Sequence, residues 1–335
     1  MQSTQIDVKE YSYFAGNQWR KAADNQVFEV HEPYSGKLFA RVAAASRVDA
    51  RATVDAAAKA FPAWADSTPD ERARLFLKAS EIVRRRRTEI AEILARETGS
   101  TISFSTFQMD LVAATLQQVA GWVYLPKGEV LETNQFNTHS IGVRRPLGVC
   151  ASFTPWNGAN ILSWRAVISP VAAGNTVVVK PSEFAPVSAG VMLAEVAEEA
   201  GFPAGVINVV THAPGAAAAI ADEFFDRPEV RVINLIGGVK TARMLAERAG
   251  RDLRAGRRGR SGGHARRGDY RRQSHAVRPH VFDSGREYLQ GIRDGAESPR
   301  RHREREFTNR QRRDSRADGR RSRQRLGPHW TSQPG

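Results

Sequence analysis

Cysteine is almost absent from this sequence, which has one, Cys150, in 335 residues. A single thiol excludes an internal disulfide framework and is typical of proteins of the reducing cytoplasm. No run of about 18 apolar residues is present, so we expect no membrane span. Residues 1–14 lack both the basic segment and the apolar core of a secretory signal. Together these absences predict a cytoplasmic protein.

Lysine is absent from the last 85 residues, which contain 24 Arg and 10 acidic residues. Residues 1–250 balance 26 Lys and Arg against 26 Asp and Glu, so the whole formal net charge of +14 lies in the C-terminal segment. A strongly basic protein ordinarily has nucleic acid or another acidic surface as a partner. Because this charge is confined to one segment, it predicts only non-specific nucleic-acid binding through residues 254–335.

Two interpretations of residues 254–335 are open. One is a frameshift in a GC-rich gene, because Arg codons of the CGN type, when read one base on, begin with G and encode Val, Ala, Asp, Glu or Gly. The other is a genuine basic extension that binds nucleic acid through phosphate charge. Few aromatic and β-branched residues occur there, so burial would not offset the entropy of ordering. We expect this segment to be disordered.

Helical periodicity begins at Ser46, after short predicted strands and turns in residues 12–45. Thr68 and Pro69 are a typical helix start, with threonine as the N-cap and proline in the first turn. Gly99 is a typical C-cap, so helices are predicted from Ser46, from Thr68, at 89–97 and around 111–123. The predicted inward faces are Val48, Ala52, Ala56, Ala57, Ala60 and Phe61 on the first helix and Leu75, Leu77, Ala79, Ile82 and Val83 on the second.

Four consecutive arginines occupy positions 84–87. We interpret them as a solvated helix face, the alternative being a nucleic-acid patch.

An extended ribbon is predicted at 128–144. From residue 148 apolar strands alternate with helices, which predicts an α/β fold with a parallel sheet covered by helices on both faces. The predicted strands are 148–153, 176–179, 206–210 and 230–235, and the predicted helices are 161–171, 187–199, 216–221 and 240–249.

Polar residues follow the first two of these strands. Thr154, Pro155, Trp156 and Asn157 come after one strand, and residues 180–183 end the next. Open α/β sheets bind ligands at the carboxyl ends of their strands. The Asn157 amide can donate to an oxygen that becomes negative during carbonyl chemistry. No G-x-G-x-x-G follows any predicted strand, so the standard dinucleotide fingerprint is absent.

Five short motifs occur in order along residues 12–253. They are Pro146-Leu147-Gly148-Val149, Pro155-Trp156-Asn157, Lys180-Pro181-Ser182-Glu183, Gly201-Phe202-Pro203-Ala204-Gly205-Val206 and Asn234-Leu235-Ile236-Gly237-Gly238. Each alone is weakly specific, but the ordered set, at its spacing, resembles the NAD(P)-dependent aldehyde dehydrogenase superfamily. The resemblance implies a Rossmann-like cofactor-binding domain over residues 1–253, with the ribbon at 128–144 as an inserted oligomerisation hairpin.

The resemblance implies oxidation of an aldehyde to a carboxylic acid with NAD, by a homo-oligomer, without a metal. Asn157 matches the side-chain donor of the oxyanion hole. A carboxylate at Glu183 would repel a 2′-phosphate, which favours NAD over NADP. The implied cofactor-binding residues are Thr154, Pro155, Trp156 and Asn157 beside the reacting centre, Lys180, Ser182 and Glu183 at the ribose, and Gly237 and Gly238 at the pyrophosphate turn.

Three of these assignments have structural alternatives. Trp156 can be a core aromatic residue, Lys180 and Glu183 can be a surface pair, and Gly237 and Gly238 can form a plain turn. Under each alternative the residues have a structural role and bind no ligand.

The family's nucleophilic cysteine would fall near position 290, and its general-base glutamate in a strand near position 254. Neither has a counterpart here, and the distal catalytic domain has none. Cys150 lies inside an apolar strand with no neighbouring base, so we interpret it as a core residue. We therefore expect an aldehyde dehydrogenase by descent that does not turn over. The alternatives are a non-catalytic NAD-binding remnant and a nucleic-acid-binding protein with a basic tail.

Overall fold

The computed structural model describes residues 8–134 and 136–254, and within them it has eleven strands and eight α-helices. A π-helical turn, Val187–Val191, leads directly into α6. The strands are β1 Glu10–Tyr11, β2 Tyr13–Ala15, β3 Gln18–Arg20, β4 Val27–His31, β5 Leu38–Ala43, β6 Gly128–Leu131, β7 Ser140–Val143, β8 Val149–Phe153, β9 Thr176–Lys180, β10 Ile207–Val209 and β11 Val230–Leu235. The helices are α1 Arg47–Ala65, α2 Pro69–Arg85, α3 Arg87–Thr98, α4 Ile102–Trp122, α5 Ala159–Ala172, α6 Met192–Ala200, α7 Ala217–Asp226 and α8 Val239–Arg254.

The main sheet has six strands in the order β11-β8-β9-β10-β2-β3. The first four are mutually parallel, which confirms the predicted α/β parallel sheet. The sheet as a whole is mixed, however, because β2 runs antiparallel to β10 and β3 antiparallel to β2. Gly16 and Asn17, with φ of 63° and 57°, form the two-residue turn between β2 and β3. A turn with two positive φ angles joins antiparallel neighbours, so these edge strands form a hairpin.

Helices cover both faces of this sheet, as predicted. Helices α1 and α7 pack on one face, and α5 and α6 on the other. Strand β8 alternates between the two apolar cores: Val149, Ala151 and Phe153 face one, and Cys150 faces the other. Successive side chains of a strand point to opposite faces, so a strand buried on both sides is apolar throughout. This alternation explains why Cys150 is a core residue.

The first helix forms as predicted, and Ala57 is buried as predicted, but most of the predicted buried face is wrong. Val48 is 63% exposed, and Asp49 beside it is buried. The Asp49 carboxylate accepts the Ser46 backbone N–H at 2.8 Å, which makes a capping box, and it also accepts from the Tyr13 hydroxyl at 3.2 Å. These bonds turn Asp49 inward and Val48 outward. The buried residues of α1 are Asp49, Ala50, Thr53, Val54, Ala57 and Trp64.

Helix boundaries follow the capping residues. Thr68 caps α2 by accepting the Glu71 N–H at 3.2 Å, and Gly99 ends α3 at φ 71°, both as predicted. Helix α4 begins nine residues before the predicted start, because Thr101 accepts the Phe104 N–H and serves as an N-cap. Leu77, predicted to face inward on α2, is exposed.

Three of the arginines at 84–87 meet acidic partners and Arg84 donates to Gln117, which agrees with a structural helix face. Arg86 contacts Glu89 and Glu195, each at 2.6 Å. Arg87 binds Asp110 with two hydrogen bonds of 2.6 and 2.7 Å. These ion pairs balance most of the charge of the run and favour the interpretation as a structural helix surface over a nucleic-acid patch.

The ribbon predicted at 128–144 is the antiparallel pair β6 and β7, with Val130 opposite Ile141. Among residues 8–134 and 136–254, no helix combines the length and apolar character that a membrane crossing requires. The predictions for residues 255–335, including disorder, frameshift and nucleic-acid binding, fall outside the described residues.

Candidate functional site

Four parallel strands bring the candidate residues to one edge of the sheet. Phe153 at the end of β8 pairs with Lys180 on one side and with Leu235 on the other, and Val209 of β10 pairs with Val179. The segments that follow these strands therefore emerge side by side. They are residues 154–157, 181–183, 211–212 and 236–238. Their position matches the edge where open α/β sheets bind ligands.

The turn after β8 is tied to the end of β9. The Thr154 backbone N–H donates to the Lys180 carbonyl at 3.1 Å. The Thr154 side chain is buried and its hydroxyl accepts from Ser163 at 2.9 Å, so this side chain serves the protein interior. Pro155 is half-buried, whereas Trp156 is 50% exposed and Asn157 is exposed. Trp156 is therefore not a core aromatic residue, and the Asn157 amide is accessible to a ligand.

Lys180 is buried, with only 6% of its surface exposed. Its ammonium Nζ lies 2.6 Å from His212 Nε2 and 5.7 Å from the centre of the Phe153 ring. The Glu183 carboxylate Oε2 lies 3.9 Å from the same His212 nitrogen. The alternative of a surface pair is thus wrong for Lys180, because its charged group is held inside the protein.

The protonation of His212 follows from its two neighbours. Its Nδ1 lies 2.9 Å from the Ala213 carbonyl oxygen, which only accepts, so we assign the proton to Nδ1. Nε2 then carries the lone pair and accepts a hydrogen bond from the Lys180 ammonium. Burial, opposed by the charge of Glu183, lowers the pKa of Lys180 to about 8. Burial and the Lys180 charge lower the pKa of His212, so a neutral imidazole faces a cation at neutral pH.

Ser182 organises the loop between Lys180 and Glu183. Its hydroxyl oxygen accepts the Phe184 N–H at 3.3 Å and lies 3.5 Å from Glu183 Oε2, to which it donates. Ser182 itself is buried. Ser182 is therefore placed to orient Glu183, and its contact with a cofactor stays a prediction.

Gly237 and Gly238 lie between β11 and α8. The Ile236 N–H donates to the Phe153 carbonyl at 3.0 Å, which joins this turn to β8. A Cβ on Gly237 would come within 3.1 Å of Leu235 Cδ1, whereas one on Gly238 would meet nothing within 4 Å. The N–H groups in the first turn of α8 lack partners within the helix and suit an anion. Both a phosphate turn and a plain turn fit this geometry.

A sequence profile of the aldehyde dehydrogenase family matches residues 19–256. The chain belongs to this family. It is 38% identical to a vanillin dehydrogenase of Pseudomonas fluorescens over 239 residues, which are 71% of this chain and 49% of that protein. The chain thus spans about half the length of the curated relatives it matches.

Solved structures share the fold of this aldehyde dehydrogenase chain. A salicylaldehyde dehydrogenase from Pseudomonas putida G7, complexed with salicylaldehyde, has a TM-score of 0.71 at 33% identity, over 73% of this chain and 50% of that one. An Escherichia coli NADP-dependent enzyme has a TM-score of 0.70 at 29% identity, over 73% and 50%. A Staphylococcus aureus betaine aldehyde dehydrogenase in complex with NAD⁺ has 0.69 at 25%, over 72% and 48%. The family therefore uses NAD or NADP.

Cys150 of this aldehyde dehydrogenase chain is not placed for nucleophilic chemistry. It is buried in β8 and faces the core covered by α5 and α6. Burial raises the pKa of its thiol to about 12, so the reactive thiolate is not populated at neutral pH. Within the part of the chain that the structure describes, no group of three or more His, Cys, Asp and Glu side chains can hold a metal.

His212 is the site residue that sequence reasoning missed. It follows β10 by three residues, and β10 adjoins β9 in the sheet. The rule that picked out Asn157 and Lys180, a polar residue at the carboxyl end of a parallel strand, also applies to His212. The position of His212 after a predicted strand was therefore visible in the sequence, although His212 lies outside the family motifs.

Proposed function

We propose that residues 1–253 are the cofactor-binding domain of an aldehyde dehydrogenase and bind NAD at the edge of β8, β9 and β11. The observation that carries this proposal is the buried Lys180 ammonium close to His212 and near Glu183. An ammonium donates to hydroxyl oxygens, and a carboxylate accepts hydroxyl protons, so the two groups fit the two hydroxyls of a ribose. Trp156 and Pro155 would contact the cofactor beside Asn157.

NAD is the cofactor that Glu183 favours over NADP. A 2′-phosphate would stand beside a carboxylate that the Ser182 hydroxyl orients, and like charges at about 4 Å repel by roughly 1–4 kcal/mol. The turn at Gly237 and Gly238, at the start of α8, suits the pyrophosphate.

Bound NAD supplies a hydride acceptor for the oxidation of an aldehyde. The exposed Asn157 amide would donate to the aldehyde oxygen as negative charge develops on it, a type of contact whose loss costs about 10²–10³ in kcat. No residue in 8–134 or 136–254 supplies a cysteine thiolate at this edge, because Cys150 is buried and protonated. We therefore propose that the chain binds NAD but does not turn over an aldehyde.

We propose aromatic aldehydes as the substrate class of this site when it is completed by a catalytic cysteine. The vanillin and salicylaldehyde dehydrogenases to which the chain is similar act on aromatic aldehydes by their names. Phe104 and Phe107 of α4 are exposed and stack with ring centres 6.3 Å apart. The side chain of Gln108, the residue after Phe107, accepts the Ile161 N–H at 3.5 Å. This hydrogen bond joins α4 to the first turn of α5, which follows Asn157.

Association into a homo-oligomer through β6 and β7 is a further proposal. Val130, Ile141 and Val143 are 77%, 63% and 59% exposed on this ribbon. Apolar side chains grouped on an exposed sheet mark an association surface.

The first experiment is a titration of the full chain with NAD, followed by tryptophan fluorescence. The chain has six tryptophans, so the difference between wild type and Trp156→Phe isolates the signal of Trp156. We expect saturable quenching that Lys180→Met abolishes, and no aldehyde-dependent formation of NADH. Any aldehyde-dependent turnover by the wild-type chain would contradict its inactivity, and the Cys150→Ser variant would then show whether Cys150 is the nucleophile. A flat titration would contradict the proposed cofactor site.

A further inference from the structure

Lys180 and Glu183 stand apart although they carry opposite charges on one short loop. Among the described residues, no ion pair within 4.0 Å joins them. His212 lies against both: its Nε2 is 2.6 Å from the Lys180 ammonium and 3.9 Å from the Glu183 carboxylate. The imidazole is fully buried and fixed at its other nitrogen by the Ala213 carbonyl.

We propose that His212 is a positioning residue that holds the Lys180 ammonium by a hydrogen bond and keeps it separate from Glu183, so that both charged groups are free for the ribose hydroxyls of a nucleotide. The inference rests on the proposed function, because it concerns the same ribose site. It assigns a role to a residue that lies outside the motifs by which the chain resembles its family.

The chemistry of the three groups supports this role. An ammonium has three donors, and one of them is satisfied by the His212 lone pair, which leaves two for ligand hydroxyls. Without an acceptor at this place, a buried ammonium lacks a partner and moves to the nearest carboxylate. A Lys180–Glu183 ion pair would then use the donors and the acceptor that the ribose needs.

Three substitutions separate positioning from general damage. His212→Ala removes the acceptor. His212→Asn places an amide oxygen near the position of Nδ1, because the asparagine side chain is too short to reach Lys180. His212→Gln extends its amide oxygen to about the position of Nε2 and restores an acceptor. We expect the affinity for NAD to fall about 10- to 100-fold in the alanine and asparagine variants, the range of a hydrogen bond to a charged group. The glutamine variant should remain within about threefold of wild type.

The ligand itself provides the matched control. An NAD analogue whose adenosine ribose lacks the 2′ and 3′ hydroxyls cannot use Lys180 and Glu183. Its affinity should be nearly the same for wild type and His212→Ala, whereas a merely structural role of His212 would weaken both ligands equally. Equal losses for NAD and the analogue, or no rescue by glutamine, would overturn the proposal.

A measurement on the protein without ligand separates this proposal from the proposed function. Nitrogen-15 NMR of the His212 ring at pH 7, assigned by comparison with His212→Gln, should show a protonated Nδ1 and a bare Nε2. If wild type fails to bind NAD, the proposed function is wrong, and the ring measurement then tests only the hydrogen bond between His212 and Lys180. A bare Nε2 then supports the hydrogen bond to Lys180, and a protonated Nε2 overturns it.

Discussion

Glu97 and Ser188 are joined by two hydrogen bonds in the protein interior: the Glu97 carboxylate accepts both the backbone N–H and the hydroxyl of Ser188. The same carboxylate accepts the Val187 N–H at 2.7 Å. Glu97 stands near the end of α3 and is only 1% exposed. It therefore fixes the start of the π-helical turn that follows the Lys180 loop.

The first prediction concerns the ionisation of Glu97. Burial raises its pKa from 4.5 to about 7, against the opposing effect of the hydrogen bonds from Ser188 and Val187. Between these values the folded state retains a proton that the unfolded state releases, so this contribution to stability is present below pH 4.5 and is lost as pH rises through 7. At about 1.4 kcal/mol per pKa unit, the loss between pH 5 and 8 is about 2–3 kcal/mol.

Urea unfolding at several pH values checks this expectation. As pH rises from 5 to 8, the wild-type free energy of unfolding should fall more steeply than that of Glu97→Gln, because the glutamine side chain does not ionise. Glu92→Gln, at an exposed position on the same helix, is the control and should keep the wild-type slope. Equal slopes for wild type and Glu97→Gln would show that Glu97 does not titrate in this range.

The second prediction concerns the reactivity of Cys150. Its thiol is buried and has a raised pKa, so a maleimide or disulfide reagent should label the native chain only at its rate of unfolding. Leu77→Cys, on the exposed side of α2, provides a reference thiol that should react within the mixing time. Labelling of Cys150 as fast as this reference thiol would contradict its place in the core.

The third prediction concerns Arg72, which is fully buried and forms no ion pair with any acidic residue that the structure describes. Its guanidinium donates to the carbonyls of Trp64 and Ala65 at the end of α1 and of Ala172 at the end of α5. Arg72→Met removes these hydrogen bonds and leaves the Ala65 and Ala172 carbonyls without the guanidinium, whereas Trp64 keeps its bonds from Ser67. This loss should lower the free energy of unfolding by about 3–5 kcal/mol. Arg74→Met, exposed on the same helix, should change it by less than about 0.5 kcal/mol. Urea unfolding of both variants measures these losses. Comparable losses would rule out the stabilising role of the Arg72 hydrogen bonds.

The fourth prediction concerns the choice between NAD and NADP. Glu183→Gln keeps the shape of the side chain and removes the charge that opposes a 2′-phosphate. The ratio of NADP to NAD affinity should therefore rise about tenfold or more, equivalent to about 1.4 kcal/mol. Fluorescence titration with both cofactors gives this ratio, and Glu198→Gln is an exposed acidic control. An unchanged ratio would remove Glu183 as the selecting residue.

Local chemistry explains which features were predictable from the sequence. Thr68 and Gly99 marked helix ends because capping depends on neighbouring backbone groups, and the strand and helix alternation after residue 148 predicted the sheet. The rotation of α1 was not predictable from apolar spacing, since the contact between Asp49 and Tyr13 joins residues 36 positions apart. His212 satisfies the same strand-end rule as Lys180, but its contact with Lys180 depends on the pairing of β9 with β10, which local sequence does not specify.

The hydrogen bond between the Thr154 N–H and the Lys180 carbonyl has a mechanical consequence. It adds to the pairing of β8 with β9 and links the peptide that leads to Asn157 with the residue that we propose for the ribose. A displacement of Lys180 would therefore be passed toward Asn157 through this hydrogen bond and three residues of chain. If the site binds NAD as we propose, we expect a substitution that shifts the nucleotide at Lys180 to disturb the alignment of Asn157 as well.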